Sequence, residues 1–235
     1  MKNDFNFEVY LFISPKKIAL SVKEKKKDFK SIYENEILFD NSLNELNLET
    51  LDKFLNENIF KVEKILDNFI QNINIAILSK DLLELKISVK KNNHNKIINN
   101  TDLIYLLNDA KNDAKGSMKN KKIIHVLIDN YLINNCSYQD LPLNLECESF
   151  SLNLSFICLP ETLTRKVEKI LENYQISVNH FVSANYIEEY SAKKNLDFFQ
   201  GMKKIIDGSN NNEVKLVQKI PKNKGFFEKF FDFFS

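Results

Sequence analysis

The last eleven residues of the 235-residue chain, GFFEKFFDFFS, hold six phenylalanines and could provide binding chemistry. On a helix turning about 100° per residue, all six rings fall within one arc of about 160°, opposite the charged residues. The segment is too short to cross a bilayer, which takes about 20 apolar residues, but it could lie in the headgroup layer. We therefore predict an amphipathic helix over residues 225–235 that could bind a membrane surface. The predicted membrane-binding residues are Phe226, Phe227, Phe230, Phe231, Phe233 and Phe234 for the bilayer, and Lys222, Lys224 and Lys229 for anionic headgroups.

Two other roles are open for this aromatic segment. It could pack on the core of its own chain, as most amphipathic helices do, or it could dock into the groove of a partner protein. A purely aromatic stripe, its place at the C-terminus and the polar approach to it disfavour packing on the chain's own core, and they leave lipid and a partner groove as equal alternatives. We interpret residues 207–224, with the run Asn210 to Asn212, as a flexible linker without chemistry of its own.

Catalytic chemistry has few candidates in this sequence. His94 lies in an asparagine-rich stretch and is expected to be exposed, whereas His125 and His180 alternate with apolar residues as in a strand. Either strand histidine could act as a general base, but a structural histidine is the expectation because no polar constellation surrounds it in sequence. Ser14 and Ser183 lack the Gly-x-Ser-x-Gly context of an activated serine. We expect no catalytic residue and no enzyme activity.

Metal and cofactor sites are not predicted either. Cys136, Cys147 and Cys158 show no Cys-x-x-Cys spacing and do not cluster with histidine at the spacing of metal ligands. The chain has only four glycines, and none are clustered as a phosphate-binding loop requires. The expected cofactor and metal content is therefore none.

Bulk composition excludes some classes of function. Hydrophobic residues make up 43% of the chain, which is enough for a sizeable core. The net charge is +1, and Arg165 is the only arginine, so nucleic-acid recognition is not expected. Unpaired cysteines and a polar N-terminus without a signal peptide favour a reducing cytoplasm.

Apolar periodicity predicts a mixed α+β chain that opens with a hairpin around Ser14, Pro15 and Lys16. Strands are predicted over residues 7–13, 17–23, 29–39, 73–78, 83–89, 121–133, 152–159 and 175–182. Helices are predicted over residues 47–70, 102–115, 162–173 and 186–206. Residues 90–100 are predicted to be a polar loop.

With these elements in place, Lys122 to Ala184 resembles the insert subdomain of the bacterial cell-division protein FtsA, an actin-like protein. In that family a strand carrying Ile-Leu-His leads to a tyrosine, a proline-containing loop, a second strand, a helix and a strand ending near Ser-Ala. The matching features here are Ile123-Ile124-His125, Tyr131, Pro142, the strand 152–159, the helix 163–171 and Ser183-Ala184. The opening hairpin resembles the family's first phosphate-binding hairpin, and the aromatic tail resembles its C-terminal membrane-targeting helix.

The resemblance implies an α+β fold: a partial actin-like, ribonuclease-H-like subdomain plus an FtsA-type insert subdomain, with the second actin-like half missing and a C-terminal amphipathic helix. The expected domains are residues 5–98 with 184–206 for the actin-like remnant and 99–183 for the insert. Residues 207–224 and 225–235 are expected to be the linker and the membrane helix.

The departures from the family imply that nucleotide binding is lost. The family's first hairpin carries Asp-Ile-Gly-Thr, whereas this chain has Phe12-Ile13-Ser14-Pro15, without the carboxylate and the glycine and with one amide fewer. The second phosphate hairpin, Asp-x-Gly-x-Gly-Thr, should follow Ser183-Ala184 and is absent from the sequence. An actin-like cleft needs both hairpins to hold ATP.

The resemblance implies an FtsA-like scaffold without ATPase activity, peripheral to the cytoplasmic side of the inner membrane. Its expected partners are anionic lipid and divisome proteins, with self-association as a further possibility. FtsZ and late division proteins are the candidates, although the family contacts FtsZ mainly through the half that is missing here. The alternatives are a pilus-assembly-type actin-like scaffold, a residual nucleotide-binding protein and a non-functional remnant.

Overall fold

A computed structural model of the chain describes residues 6–25, 29–39, 45–141 and 145–214. These residues form two β-sheets and five helices. The strands are β1 (Phe7–Ile13), β2 (Lys17–Glu24), β3 (Ser31–Leu38), β4 (Asn72–Ile77), β5 (Leu83–Ile97), β6 (Lys121–Ile133), β7 (Cys136–Tyr138), β8 (Glu146–Pro160) and β9 (Ser177–Ser183). The helices are α1 (Leu48–Leu66), α2 (Asn100–Ala114), α3 (Glu161–Glu172), α4 (Ala184–Lys194) and α5 (Phe198–Ile206).

The first sheet has the strand order β3-β2-β1-β4-β9. β1, β2 and β3 are antiparallel neighbours, whereas β4 runs parallel to β1 and β9 runs parallel to β4. An antiparallel meander continued by parallel strands, which are reached through helical crossovers, is the order of a ribonuclease-H-like sheet. The predicted α+β fold class, with a partial actin-like subdomain, is therefore confirmed.

One face of the first sheet packs against α1 and α3. Asn47 starts α1 by accepting a hydrogen bond from the Thr50 amide, and Asp67 ends it in the left-handed conformation. The helix buries residues spaced by three and four positions against β1, β2 and β4, as the sequence pattern predicts. This layer forms the main core, whose helical members include Leu51, Phe54, Leu55, Ile59, Val62, Val167 and Leu171.

The opposite face of the first sheet packs against α4 and α5. The sequence predicts one helix over residues 186–206, but Asn195 adopts the left-handed conformation and Asp197 caps a second helix. The two helices approach so closely at Gly201 that a Cβ atom built there would lie 1.8 Å from the Ser191 hydroxyl oxygen. Any larger residue at this crossing would force the Ser191 hydroxyl to move, whereas the Ile187 carbonyl oxygen would lie at 3.6 Å, an ordinary contact distance.

The second sheet is inserted between β4 and α3. It has the order β5-β8-β6-β7, it is antiparallel throughout, and α2 packs on it through Leu106, Ala110 and Ala114. The helix begins with a reciprocal capping box, in which the Asn99 and Asp102 side chains each accept from the other residue's amide.

β5 is longer than the sequence predicts. The polar loop expected over residues 90–100 is wrong, because β5 continues to Ile97 and pairs with an equally extended β8. β5 is an edge strand with one solvated face, so its polar residues need not be buried. The pairing slips between Asn92 and Lys96, where His94 and Asn95 have positive φ angles, as at a β-bulge.

The sheet membership of two strands differs from the domain boundaries expected from the sequence. β5 lies within the range 5–98 but pairs with β8 of the inserted sheet, and β9 lies within the range 99–183 but pairs with β4. The sequence resemblance could not separate these strands because their apolar alternation is the same in either sheet. Residues 225–235, the predicted amphipathic helix, lie outside the described residues.

The crossing of α4 and α5 gives a first prediction. Gly201→Ala should destabilise the protein by about 1–3 kcal/mol, since the added methyl group overlaps Ser191 in a packed contact. A urea titration followed by circular dichroism measures the change in the free energy of unfolding. Ser191→Ala combined with Gly201→Ala should recover part of the loss, and additive effects of the two changes would contradict the steric account.

Candidate functional site

The tip of the β1–β2 hairpin stands where actin-like proteins are expected to cradle phosphate. The Ser14 amide donates to the Lys17 carbonyl oxygen at 2.8 Å, and Pro15 has no amide hydrogen. The Ser14 hydroxyl oxygen accepts from the amides of Lys16 at 3.3 Å and Lys17 at 2.9 Å. Every amide of this turn is therefore either absent or already bonded inside the turn.

Ser14 is the buried residue of this turn, whereas Lys16 is exposed. Ser14 is only 3% exposed, and its hydroxyl donates to the Lys17 carbonyl oxygen at 3.0 Å. A phosphate cradle needs amide hydrogens that point outward together, usually with glycine allowing the close approach. Here the Ser14 hydroxyl oxygen takes the place of a phosphate oxygen, because it accepts the hydrogen bonds of the Lys16 and Lys17 amides.

His125 lies at the junction between the two sheets. Its ring is 3% exposed, and its Nε2 atom accepts a hydrogen bond from the Ser183 amide at 3.0 Å. Because an amide can only donate, the proton of the neutral ring is on Nδ1, which lies 2.6 Å from the Glu213 carboxylate. Both ring nitrogens are thus engaged within the protein, as expected of a structural histidine.

The Glu213 carboxylate forms hydrogen bonds with both His125 and Tyr186 of α4. Its second oxygen accepts from the Tyr186 hydroxyl at 2.9 Å, and the Asn210 side-chain amide donates to that hydroxyl oxygen at 2.7 Å. Burial raises the pKa of Tyr186 far above its ordinary value, and the Glu213 charge adds to the effect, so the hydroxyl stays a donor. The Tyr186 ring also meets the His125 ring edge-to-face at 4.8 Å.

Residues Asn210 to Val214, which we call the docked segment, lie along β6. The Ile128 amide donates to the Asn212 carbonyl oxygen at 2.8 Å, and the Val214 amide donates to the Val126 carbonyl oxygen at 2.9 Å. The linker expected over residues 207–224 is therefore attached to the second sheet as far as Val214. The asparagine run, for which the sequence predicts no chemistry of its own, supplies part of this attachment.

Neither Asn210 nor Glu213 was singled out from the sequence. Both lie in a polar stretch with no apolar periodicity, and Glu213 is 88 residues from its partner His125. The nearest apolar residue is Val214, directly after the polar run, and one residue does not define an element.

The other candidates from the sequence are dispersed. His94 is exposed, and His180 bonds to the Asn74 side chain at 3.1 Å. Desolvation, with a contribution from nearby His125, lowers the pKa of His180. Burial raises the pKa of the Cys158 thiol to about 11, so it is not an activated nucleophile. Within the described residues no group of three or more His, Cys, Asp or Glu side chains could hold a metal ion.

All nine predicted membrane-binding residues lie outside the described part of the chain. They are Phe226, Phe227, Phe230, Phe231, Phe233, Phe234, Lys222, Lys224 and Lys229. Among the helices that are described, none has the length and apolar character needed to span a membrane.

A groove of about 650 Å³ lies on the first sheet, beside α4 and α5. Three aromatic rings line it: Phe12 and Phe198 lie 5.2 Å apart edge-to-face, and Phe198 lies 5.4 Å from Phe199. Its charged lining residues are Glu34, Glu36, Glu188 and Lys17.

Two glutamates on the acidic side of this groove are paired with lysines. A hydrogen bond from Lys23 lowers the pKa of Glu34, and Lys17 forms an ion pair with Glu36. Glu188 stands on the exposed side of α4. An apolar floor with an acidic rim can accept a segment that carries both aromatic and basic residues.

No protein-family model and no curated protein matches this sequence. Among solved structures, a PilM–PilN type IV pilus biogenesis complex aligns over 80% of this chain and 50% of that one, with 9% identity and a TM-score of 0.49. The cytoplasmic domain of EpsL, an inner-membrane component of the type II secretion system of Vibrio cholerae, aligns over 75% and 58%, with 11% identity and a TM-score of 0.37.

A protein of unknown function with an actin-like ATPase fold from Bacteroides thetaiotaomicron also aligns, over 82% of this chain and 60% of that one, with 16% identity and a TM-score of 0.32. The chain thus spans half to three fifths of the length of these structures. With TM-scores below 0.5, the fold assignment rests on the strand order of the first sheet.

The Glu213 network gives a second prediction. Glu213→Gln should lower the free energy of unfolding by about 1–3 kcal/mol, because the buried His125 and Tyr186 donors lose a charged acceptor. Urea denaturation followed by circular dichroism measures this loss. Glu189→Gln, an exposed change on α4, is the control and should shift the midpoint little. Equal midpoints for the two variants would contradict the role of Glu213.

Proposed function

We propose that this chain is an FtsA-like cell-division scaffold without ATPase activity, held peripherally at the cytoplasmic face of the inner membrane. The observation that carries the proposal is the β1–β2 turn. It sits in a ribonuclease-H-like sheet, where an actin-like ATPase would bind phosphate, yet its amides are used by Ser14 or removed by Pro15. This geometry supports retention of the fold for contacts with other proteins rather than for nucleotide chemistry.

Membrane attachment is the second part of the proposal. The docked segment ends at Val214, and the aromatic tail of residues 225–235 follows after a short basic stretch. A single interfacial helix gives reversible binding, with each lysine near an anionic surface adding about 1 kcal/mol. Stable residence then requires a second contact, which self-association of the scaffold would supply.

Protein partners are proposed to use the inserted sheet and α2. These elements expose large apolar side chains, namely Ile97, Ile104, Tyr105 and Leu145, that the fold does not bury. Exposed apolar residues in one region are typical of protein contacts. Divisome proteins are the proposed partners, and late division proteins are preferred to FtsZ as candidates. A pilus-assembly-type scaffold is the runner-up, and the aromatic tail favours the division-type role.

The membrane contact is testable by vesicle flotation. The full chain should float with vesicles that contain anionic lipid, whereas a chain ending at Lys219 should stay at the bottom of the gradient. Neutral vesicles are the control for the lysine contribution, and they should recover less of the full chain. Equal flotation of the full and shortened chains would contradict the proposal.

The loss of nucleotide binding is testable by thermal denaturation. ATP present with Mg²⁺ at a hundred times its Kd would stabilise a binding protein by about 2.7 kcal/mol. We expect no change in Tm with increasing ATP, because the turn has no amide hydrogen to offer. A saturable rise in Tm, or saturable heat in a calorimetric titration, would contradict a scaffold without a nucleotide site.

A further inference from the structure

The groove on the first sheet has a lining that matches the unusual composition of the chain's own C-terminus. We propose that residues 215–235, which we call the tail, dock into this groove when no membrane is present. The groove is formed by β1, β2 and β3 on one side and by α4 and α5 on the other. In the docked state, the six phenylalanines of the tail would be shielded from water.

The apolar part of the match is aromatic on both sides. Phe12, Phe198 and Phe199 are half-buried at the floor of the groove, and Phe199 also approaches Tyr10 at 5.9 Å. These rings already meet each other edge-to-face or at a tilt, which is the geometry that further aromatic rings prefer. The tail offers six phenylalanines in nine positions.

The groove lining and the tail carry net charges of opposite sign. The lining carries three glutamates and Lys17, and Lys23 pairs with Glu34 at its edge, so these five groups have a net charge of −1 (2 − 3). The tail carries five lysines, one glutamate and one aspartate, so its net charge is +3 (5 − 2). Glu188 and Glu36 are exposed on opposite sides of the groove, where lysines of an incoming segment can reach them.

The length of the chain beyond the docked segment permits this contact. Val214 is held beside β6, next to β9, and the groove begins two strands further across the first sheet, at β1. At about 4.8 Å per strand this offset is roughly 10 Å. Residues 215–225 can span up to about 36 Å when extended, which leaves enough chain to pass over α4 and α5.

Docking would make membrane binding competitive. Lipid and groove would bind the same phenylalanines, so the apparent affinity for vesicles would be lowered by the fraction of tails that are free. This release step rests on the proposed membrane function, whereas the docking itself does not. Weakening the groove should therefore strengthen vesicle binding, by about tenfold if one tail in ten is free at rest.

The test uses the full chain with a single reporter. The protein has no tryptophan, so Phe230→Trp places the only one in the tail. Without lipid, we expect blue-shifted emission and severalfold lower quenching by acrylamide than for the same residue in a tail peptide. Glu36→Lys with Glu188→Lys should bring the emission and quenching to those of the peptide. The matched control is Glu57→Lys with Glu172→Lys, two exposed residues on α1 and α3 at the opposite face, and it should leave the reporter shielded.

The outcomes separate docking from membrane function. The proposal is supported if the tryptophan is shielded in the parent and in the control but not in the groove variant, and if dilution does not change the shielding. The proposal would be overturned by an exposed tryptophan in the parent or by equal shielding in the groove variant. It would also be overturned if dilution removed the shielding, because the tail would then be docked on a second copy of the chain. Lys222, Lys224 and Lys229 changed to Glu test the contact from the tail side and should also expose the reporter. Vesicle binding by the parent is measured separately. If the tail is shielded but the protein does not bind vesicles, docking is supported and the membrane role is refuted.

Discussion

The imidazole of His125 links three parts of this molecule through buried hydrogen bonds. Its Nε2 atom accepts from the Ser183 amide at the end of the first sheet, and its Nδ1 atom bonds to Glu213 of the docked segment. The ring itself belongs to β6 of the inserted sheet. One buried side chain thus connects the two sheets and the docked segment. A buried network of this kind holds its geometry only when every member is bonded, and within it each polar group has a partner.

That junction gives the proposed scaffold its layout. The first sheet retains the ribonuclease-H-like strand order, but the Ser14 side chain has taken over the amides of its hairpin. The inserted sheet offers exposed apolar residues for partners, and the docked segment leads the chain from that sheet toward the tail.

Sequence patterns were most informative where burial is one-sided. The α1 helix and the opening hairpin follow directly from apolar periodicity, since one face of each must pack on a core. The extension of β5 was missed because an edge strand can carry Lys90 to Ile97 on a solvated surface without an apolar signal. The Glu213 contact was missed because it joins residues far apart in sequence and uses a polar residue in a polar run. The aromatic tail is the converse case, since its composition is plain from sequence and its contacts lie outside the described residues.

The central claim is that a nucleotide-independent scaffold binds the membrane through its tail. The most direct measurement is the amount of full chain bound to a supported anionic bilayer, followed continuously while Mg²⁺ and ATP are added and removed. The account predicts reversible binding that stays the same with and without ATP. Binding that appears or disappears with ATP, or no binding to the anionic bilayer at all, would contradict it.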